Sequence, residues 1–321
     1  MTGVEPGFAD VLAARGRIRP HLDPSPVRHY VNLSRELGAE VWVKHENMLP
    51  TGAFKVRGGI NLVSQLSPDE RRRGVVSAST GNHGQSVAYA ARLFGVRATI
   101  YAPAGANRLK VEAMRDLGAE VILEGADFDE ARVACERRAA AEGLRYIHSG
   151  DEPLLIAGVG TYTLEALEAV PGLDTILVPI GGGSGAAGAA MVAAAADPRI
   201  RVVGVQSADA PAAHRAWRSG SLDSALNRTA VEGLATASAF ALPQRLLRRL
   251  LADFILVEDR QIQAATRLLI EATRTLVEPA GAAALAGALQ MRDRLRGRRV
   301  CLICSGANIT PEQLQAVLSG G

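Results

Sequence analysis

The chain predicts an α/β fold built on open, doubly wound parallel sheets covered by helices on both faces. Three observations carry that prediction. Short apolar runs alternate with amphipathic stretches along most of the 321 residues. An apolar fraction of 48% with 21% charge is enough for a packed core and excludes a disordered chain. Glycine-rich segments fall where an apolar run gives way to a helical pattern, as turns from strand to helix do in such sheets. At roughly 100–200 residues per domain, the length suggests two domains or one large one.

In chain order, strands are predicted at Glu40–His45, Val75–Ser79, Arg97–Ala102, Glu120–Leu123, Tyr146–His148, Thr175–Ile180, Arg201–Gln206, Phe254–Val257 and Arg299–Cys304. Each is a short apolar run rich in Val and Ile. Helices are predicted between them at Gln85–Phe94, Asn107–Leu117, Asp127–Ala141, Leu154–Ala169, Ala186–Ala196, Pro243–Leu251, Asp259–Thr275, Ala280–Leu289 and Pro311–Leu318. Asp259 reads as a helix cap, and Thr310-Pro311 as an N-cap followed by proline in the first helical position. The block Val75–His148 reads as a compact run of alternating strands and helices, bounded by Ser67-Pro68-Asp69 and by Ser149–Pro153. Residues 77–152 are therefore expected to form a smaller domain. It is inserted into a larger one made of residues 1–76 and 153–321.

Composition narrows the function classes. The net charge is only +3, and the basic clusters Arg71–Arg73 and Arg296–Arg299 lack interleaved aromatics, so solvated helix ends are expected and not a nucleic-acid surface. The Ala-rich stretches near Ala186–Ala196 and Ala280–Leu289 are too short and too broken by glycine for a membrane span of about 20 residues. No basic segment followed by an apolar one opens the chain, so no signal peptide is expected. Three cysteines in 321 residues do not make a disulfide framework, and a cytoplasmic setting is the expectation. Cys301 and Cys304 form a CxxC in a strand run, where i and i+3 face opposite ways, so no metal or redox role is assigned to them.

Of the 36 lysines and arginines only Lys44, Lys55 and Lys110 are lysines, so amine chemistry has three places to occur. Lys44 closes a strand, and Lys110 lies on the polar face of its helix. Lys55 stands in Thr51–Gly59 (TGAFKVRGG), flanked by glycines, backed by Phe54 and placed just before a helix. Burial or a helix N-terminus lowers a lysine pKa towards the free amine that Schiff-base chemistry needs. A second loop, Ser79-Thr80-Gly81-Asn82-His83-Gly84, turns several backbone N–H groups to one spot suited to a carboxylate. The third, Gly181-Gly182-Gly183-Ser184-Gly185, lets amides close around phosphate oxygens.

Gly183-x-Gly185-x-x-Gly188 also matches the dinucleotide fingerprint, which keeps a nucleotide-binding module as the rival. That module wants an acidic residue after the next strand, where this chain has Gln206 and Ser207. A phosphate cradle, an activated lysine and an anion loop together describe a pyridoxal 5′-phosphate site better than a nucleotide site.

Lys44–Gly59 (KHENMLPTGAFKVRGG), Ser79–Gly84 (STGNHG), Gly181–Gly185 (GGGSG) and Ser305–Asn308 (SGAN) resemble, in order and spacing, the fold-type II pyridoxal phosphate enzymes. The threonine/serine dehydratases and serine racemase are the nearest members. The resemblance runs from about Pro24 to the end. It implies a tryptophan synthase β-like architecture and assigns roles by motif. Lys55 is the cofactor lysine and general base, with Phe54 behind the ring, and Asn82 bonds the cofactor's phenolic oxygen. Gly181, Gly182, Gly183, Ser184 and Gly185 hold the phosphate, Ser305 faces the pyridine nitrogen, and Glu278 lies near the ring. Ser79, Thr80, Gly81 and His83 belong to the loop that holds the substrate carboxylate, Thr80 with a catalytic place on the far face.

The same resemblance implies a reaction. Histidine after Gly81-Asn82 is similar to the dehydratases, whereas β-replacement enzymes carry threonine there. Thr80 departs from the serine of serine racemase, so efficient racemisation is not expected. The implied activity is α,β-elimination from L-threonine and/or L-serine to a 2-oxo acid and ammonia. The alternatives are racemisation, phenylserine or hydroxyaspartate dehydration, and β-replacement. The family also implies a homodimer, with a small amino acid as the substrate and no nucleic-acid or membrane partner. The chain stops soon after the Ser305 turn, so no C-terminal regulatory domain is expected. No metal ligand is expected either, since Gln206 and Ala212 stand where serine racemase holds a divalent ion with two carboxylates.

Overall fold

The computed structural model describes residues 4–319. Among these, ten strands form two sheets. They are β1 (Val27–His29), β2 (Glu40–His45), β3 (Val75–Ala78), β4 (Ala98–Ala102), β5 (Glu120–Leu123), β6 (Arg145–Tyr146), β7 (Thr175–Pro179), β8 (Arg201–Ser207), β9 (Asp253–Val257) and β10 (Arg299–Cys304). One sheet has the order β1-β2-β10-β7-β8-β9 and the other β5-β4-β3-β6. Every pairing is parallel except β1 with β2, an antiparallel edge that the expectation of purely parallel sheets left out. β1 is three residues long and exposed over two of them, so it shows no apolar run.

The inner strands β3, β4, β7, β8 and β10 are buried almost throughout, because helices cover both faces. Cys301 and Cys304 of β10 lie in different core clusters, one on each face of the sheet. Three helices join the two sheets: Lys55–Val63, Asn82–Leu93 and Pro153–Ala169. They approach closely because glycine leaves no side chain between them. A Cβ on Gly59 would stand 2.5 Å from the Ser86 carbonyl oxygen, and one on Gly158 2.7 Å from the Gly58 Cα.

Several predicted bounds move. The second loop's helix starts at Asn82, not Gln85, and the third loop's at Ser184, not Ala186. Tyr146–His148 shortens to a strand at Arg145–Tyr146. Asp259 is the first helical residue, not the cap. Glu258 caps that helix in a reciprocal pair with Gln261. Asp259 instead accepts from the Ser207 and Thr229 hydroxyls at 2.6 and 2.8 Å. The helices Phe8–Ile18, Val31–Leu37 and Ala212–Ser219 were not anticipated. Phe8–Ile18 buries only Val11, Ala14 and Ile18, too few for a strong apolar stripe, and Ala212–Ser219 is a short helix that sets alanines and part of Trp217 against the core.

In a parallel sheet, ligands bind beyond the carboxyl ends of the strands, where the strand order reverses. The larger sheet reverses between β10 and β7, and the smaller between β3 and β6. The loops leaving these four strands are Ser305–Asn308, Gly181–Gly185, Ser79–Gly81 and Ile147–Glu152.

Candidate active site

Lys55 ties the two reversal points together. Its Nζ donates to the Ser149 carbonyl at 3.2 Å, beyond β6, and to Ser184 Oγ at 3.1 Å, beyond β7. No carboxylate pairs with it among the described residues, and burial pulls its amine down to about 8. The aromatic face of Phe54 lies 5.3 Å from Nζ. Lys55 opens its helix, and the chain before it is stitched to the turn after β10. Phe54 N donates to the Ser305 carbonyl at 3.1 Å, and Ala307 N to the Gly52 carbonyl at 2.8 Å. The lysine and Ser305 are thereby held as one unit.

The helix beyond β7 begins at Ser184, and Gly183 before it takes φ +91°, a left-handed backbone that a side chain would strain. A Cβ on Gly182 would stand 2.3 Å from the Phe240 ring. The amides that open this 13-residue helix have no intrahelical acceptor, and its dipole favours an anion there. Tyr162 Oη donates to the Gly185 carbonyl at 2.8 Å and steadies the turn from behind.

At the loop after β3, Ser79 Oγ accepts from the amides of Gly81 at 3.1 Å and Gly84 at 2.8 Å. The amides of Asn82 and His83 remain at the open end of their helix. Thr80 is exposed. Asn82 is fixed at both ends: its Nδ2 donates to Glu278 Oε1 at 2.8 Å, and its Oδ1 accepts from Asn308 Nδ2 at 2.7 Å.

His83 is the expected carboxylate-loop residue that turns away. It lies under the loop, with Nε2 2.9 Å from Ser77 Oγ. Ser77 commits its proton to the Ile147 carbonyl at 2.8 Å, so Nε2–H is the donor and Nδ1 the bare nitrogen. Burial, with the charge of Lys55, drops the ring to about 3, so it is neutral at physiological pH. Nδ1 is buried with no partner among the described residues.

Glu278 is buried against Gly306, and burial pushes its carboxyl up to about 7, against the pull of Lys110 and Asn82. An acid whose pKa is raised in the folded state holds its proton more tightly folded than unfolded. Stability is therefore highest below about 4.5 and declines as pH rises towards 7, by about 3 kcal/mol in total. Glu278→Gln is expected to remove this decline. In urea unfolding the variant should gain stability over the parent between pH 5 and pH 8. Equal pH slopes for the two proteins would contradict the assignment.

One expectation about the other lysines is corrected. Lys110 does not lie on a polar face: it is buried and ion-paired with Glu232, 122 residues away. Lys44 closes a strand as expected, but inside a buried charge cluster with Glu46, Glu165 and Arg57. Gln206 is fully buried, with Oε1 accepting from the His214 amide at 3.0 Å, and no group of three metal-binding side chains occurs among the described residues. Sequence reasoning missed Asn308, Tyr162, Phe240 and the Ser149 carbonyl. Of these, only Asn308 stood inside a motif already singled out.

The residues fit pyridoxal phosphate. The amine of Lys55 has lost its solvation and has no counter-ion, the turn Gly181–Gly185 has no room for added Cβ atoms at Gly181 and Gly182, and a helix opens towards the anion.

Comparison with known proteins agrees. Residues 18–306 match the family model described as "Pyridoxal-phosphate dependent enzyme". An L-threonine ammonia-lyase of Geobacter sulfurreducens is 38% identical over 97% of this chain and 78% of its own length. An L-threo-3-hydroxyaspartate ammonia-lyase of Saccharomyces cerevisiae is 35% identical over 99% of this chain and 98% of its own. The processed form of threonine deaminase isoform 2 from Solanum lycopersicum superposes with a TM-score of 0.93 at 28% identity, covering 100% of this chain and 96% of that one. The chain belongs to the pyridoxal-phosphate dependent enzyme family.

Proposed function

We propose that the chain is a β-hydroxy-amino-acid ammonia-lyase that converts L-threonine and/or L-serine to a 2-oxo acid and ammonia. The observation that carries this reading is the desolvated, unpaired Lys55 amine between the two reversal points. The relatives named threonine ammonia-lyase and threonine deaminase support the reaction class.

Pyridoxal phosphate, when bound, supplies the electron sink for the charge left on the substrate α-carbon. Lys55 anchors it, and Nζ, with a pKa near 8, takes the α-proton as general base. Ser184 and the amides beyond β7 would hold the phosphate group, and Ser305 would meet the pyridine nitrogen. The open amides of Asn82 and His83, with Ser79, Thr80 and Gly81, orient the substrate carboxylate. Asn82, fixed by Glu278 and Asn308, would bond the phenolic oxygen. Loss of the α-proton and the β-hydroxyl yields an enamine plus water, and the enamine hydrolyses to the 2-oxo acid and ammonia.

Two further readings belong to this proposal. Residues 77–152 act as a smaller domain against 1–76 and 153–321, supported by the separate sheets. The enzyme works as a cytoplasmic homo-oligomer, supported by three buried free cysteines and, for the assembly, by family likeness alone. Among the described residues no helix is long and apolar enough to cross a membrane.

The test is a substrate panel of L-threonine, L-serine and phenylserine, with 2-oxo acid release and serine racemisation measured on the same enzyme. Keto-acid release from threonine or serine should exceed racemisation at least about tenfold, a gap of about 1.4 kcal/mol in barrier. Racemisation or β-replacement faster than elimination would overturn the reading.

A further inference from the structure

The Lys110–Glu232 ion pair spans the cleft between the two binding loops. The Lys110 side chain runs beside Gly81: a Cβ there would stand 2.9 Å from Lys110 Cδ and 3.7 Å from Nζ. Glu232 adjoins Gly233, whose carbonyl would stand 2.6 Å from a Cβ on Gly181. Gln313 Nε2 donates to the other Glu232 oxygen at 2.7 Å and fixes the carboxylate. A small cavity lies between Lys110, Glu232, Gly233, Glu278, Asn308 and Gln313.

The charge balance there is plain. Lys110 is the ammonium beside the carboxylate loop, and Glu232 already neutralises it. A substrate whose side chain carries a second carboxylate meets no uncompensated cation and the Glu232 carboxylate. A methyl or hydrogen on the β-carbon meets no such penalty.

We infer that Glu232 is a specificity-determining residue: by occupying Lys110 it restricts the site to β-hydroxy amino acids with uncharged side chains and rejects dicarboxylic ones. This rests on the lyase reading above; a relative named L-threo-3-hydroxyaspartate ammonia-lyase supplies the dicarboxylic substrate for the comparison.

The experiment compares the holoenzyme with Glu232→Gln and Lys110→Met. It measures kcat/KM for L-threonine and for L-threo-3-hydroxyaspartate, and the Kd of succinate by calorimetry. Wild type should prefer threonine. Glu232→Gln frees the ammonium and should shift the hydroxyaspartate/threonine ratio upward about tenfold or more, with succinate binding tighter by a similar factor, as an unscreened charge pair near a protein surface allows. Lys110→Met leaves Glu232 unpaired and should move both readouts the opposite way, which keeps the test decisive if one variant folds poorly. A wild-type preference for hydroxyaspartate, or ratios and succinate affinities unmoved in both variants, would overturn the inference. Absence of elimination from either amino acid would instead overturn the lyase reading, and the succinate titration would still decide the role of Glu232.

Discussion

Lys55→Ala is expected to lower elimination from threonine by about 10⁴-fold or more, since it removes both the covalent anchor and the general base. It should also abolish the visible absorption of the lysine-bound cofactor. The fold should survive, because Lys55 contributes only hydrogen bonds to Ser149 and Ser184 and its ammonium is already disfavoured by burial. Unfolding by urea should show a midpoint close to that of the parent. Lys44→Ala is the instructive contrast. It should keep the absorption band yet lose stability, because Lys44 holds Glu165 and the Ser25 carbonyl in the interior. A Lys55→Ala protein turning over within tenfold of wild type would remove Lys55 from the chemistry.

The second large effect is on stability. Arg57, two residues past Lys55, is fully buried. It grips Glu46 with Nε at 2.6 Å and Nη2 at 2.9 Å, and Glu165 with Nη1 at 2.6 Å and Nη2 at 2.7 Å. Arg57→Met leaves two carboxylates in the interior with Lys44 as their remaining cation, and the expected cost is about 3–5 kcal/mol. That is a large part of a typical domain's ~5–15 kcal/mol. Arg57→Lys should recover only part, since it keeps the charge but not the two-sided fork. Burial raises the Glu46 carboxyl, but Arg57 and Lys44 outweigh it and hold the group below its usual range. Its contribution is therefore complete above about pH 4.5 and is lost as pH falls through the lower folded value. Arg57→Met should flatten that acid limb of stability. A loss under about 1 kcal/mol, within the range of an ordinary surface pair, would contradict this account.

How much of this was legible in the sequence follows from where each signal is stored. The strands β3, β4, β7, β8 and β10 announce themselves because burial on both faces demands continuous apolar runs. Lys55, Asn82, Ser184 and Ser305 drew attention because each stands where a loop meets a strand or helix end and local composition is unusual, and the structure sets them around the two reversal points. β1 did not, being an edge that hydrogen-bonds through its backbone with no apolar run. Lys110 was misjudged, and the buried role of Arg57 went unread, for the same physical reason. The partners that bury them lie 122 residues away for Lys110, and 11 and 108 residues away for Arg57. A charged residue reads as solvated until the chain brings its counter-charge, and no local pattern records that. His83 stood in the right loop, but one position along a helix turned it from the mouth into the core, because the helix begins three residues earlier than its apolar pattern suggests.

The most direct measurement is borohydride reduction of the holoenzyme followed by peptide mass mapping. Reduction locks the cofactor onto whichever amine carries it, and only three lysines compete. The account predicts the added mass on the peptide containing Lys55, at close to one equivalent per chain, and none on those containing Lys44 or Lys110. Label on either of the others, or no label at all in a protein saturated with pyridoxal phosphate, would contradict it.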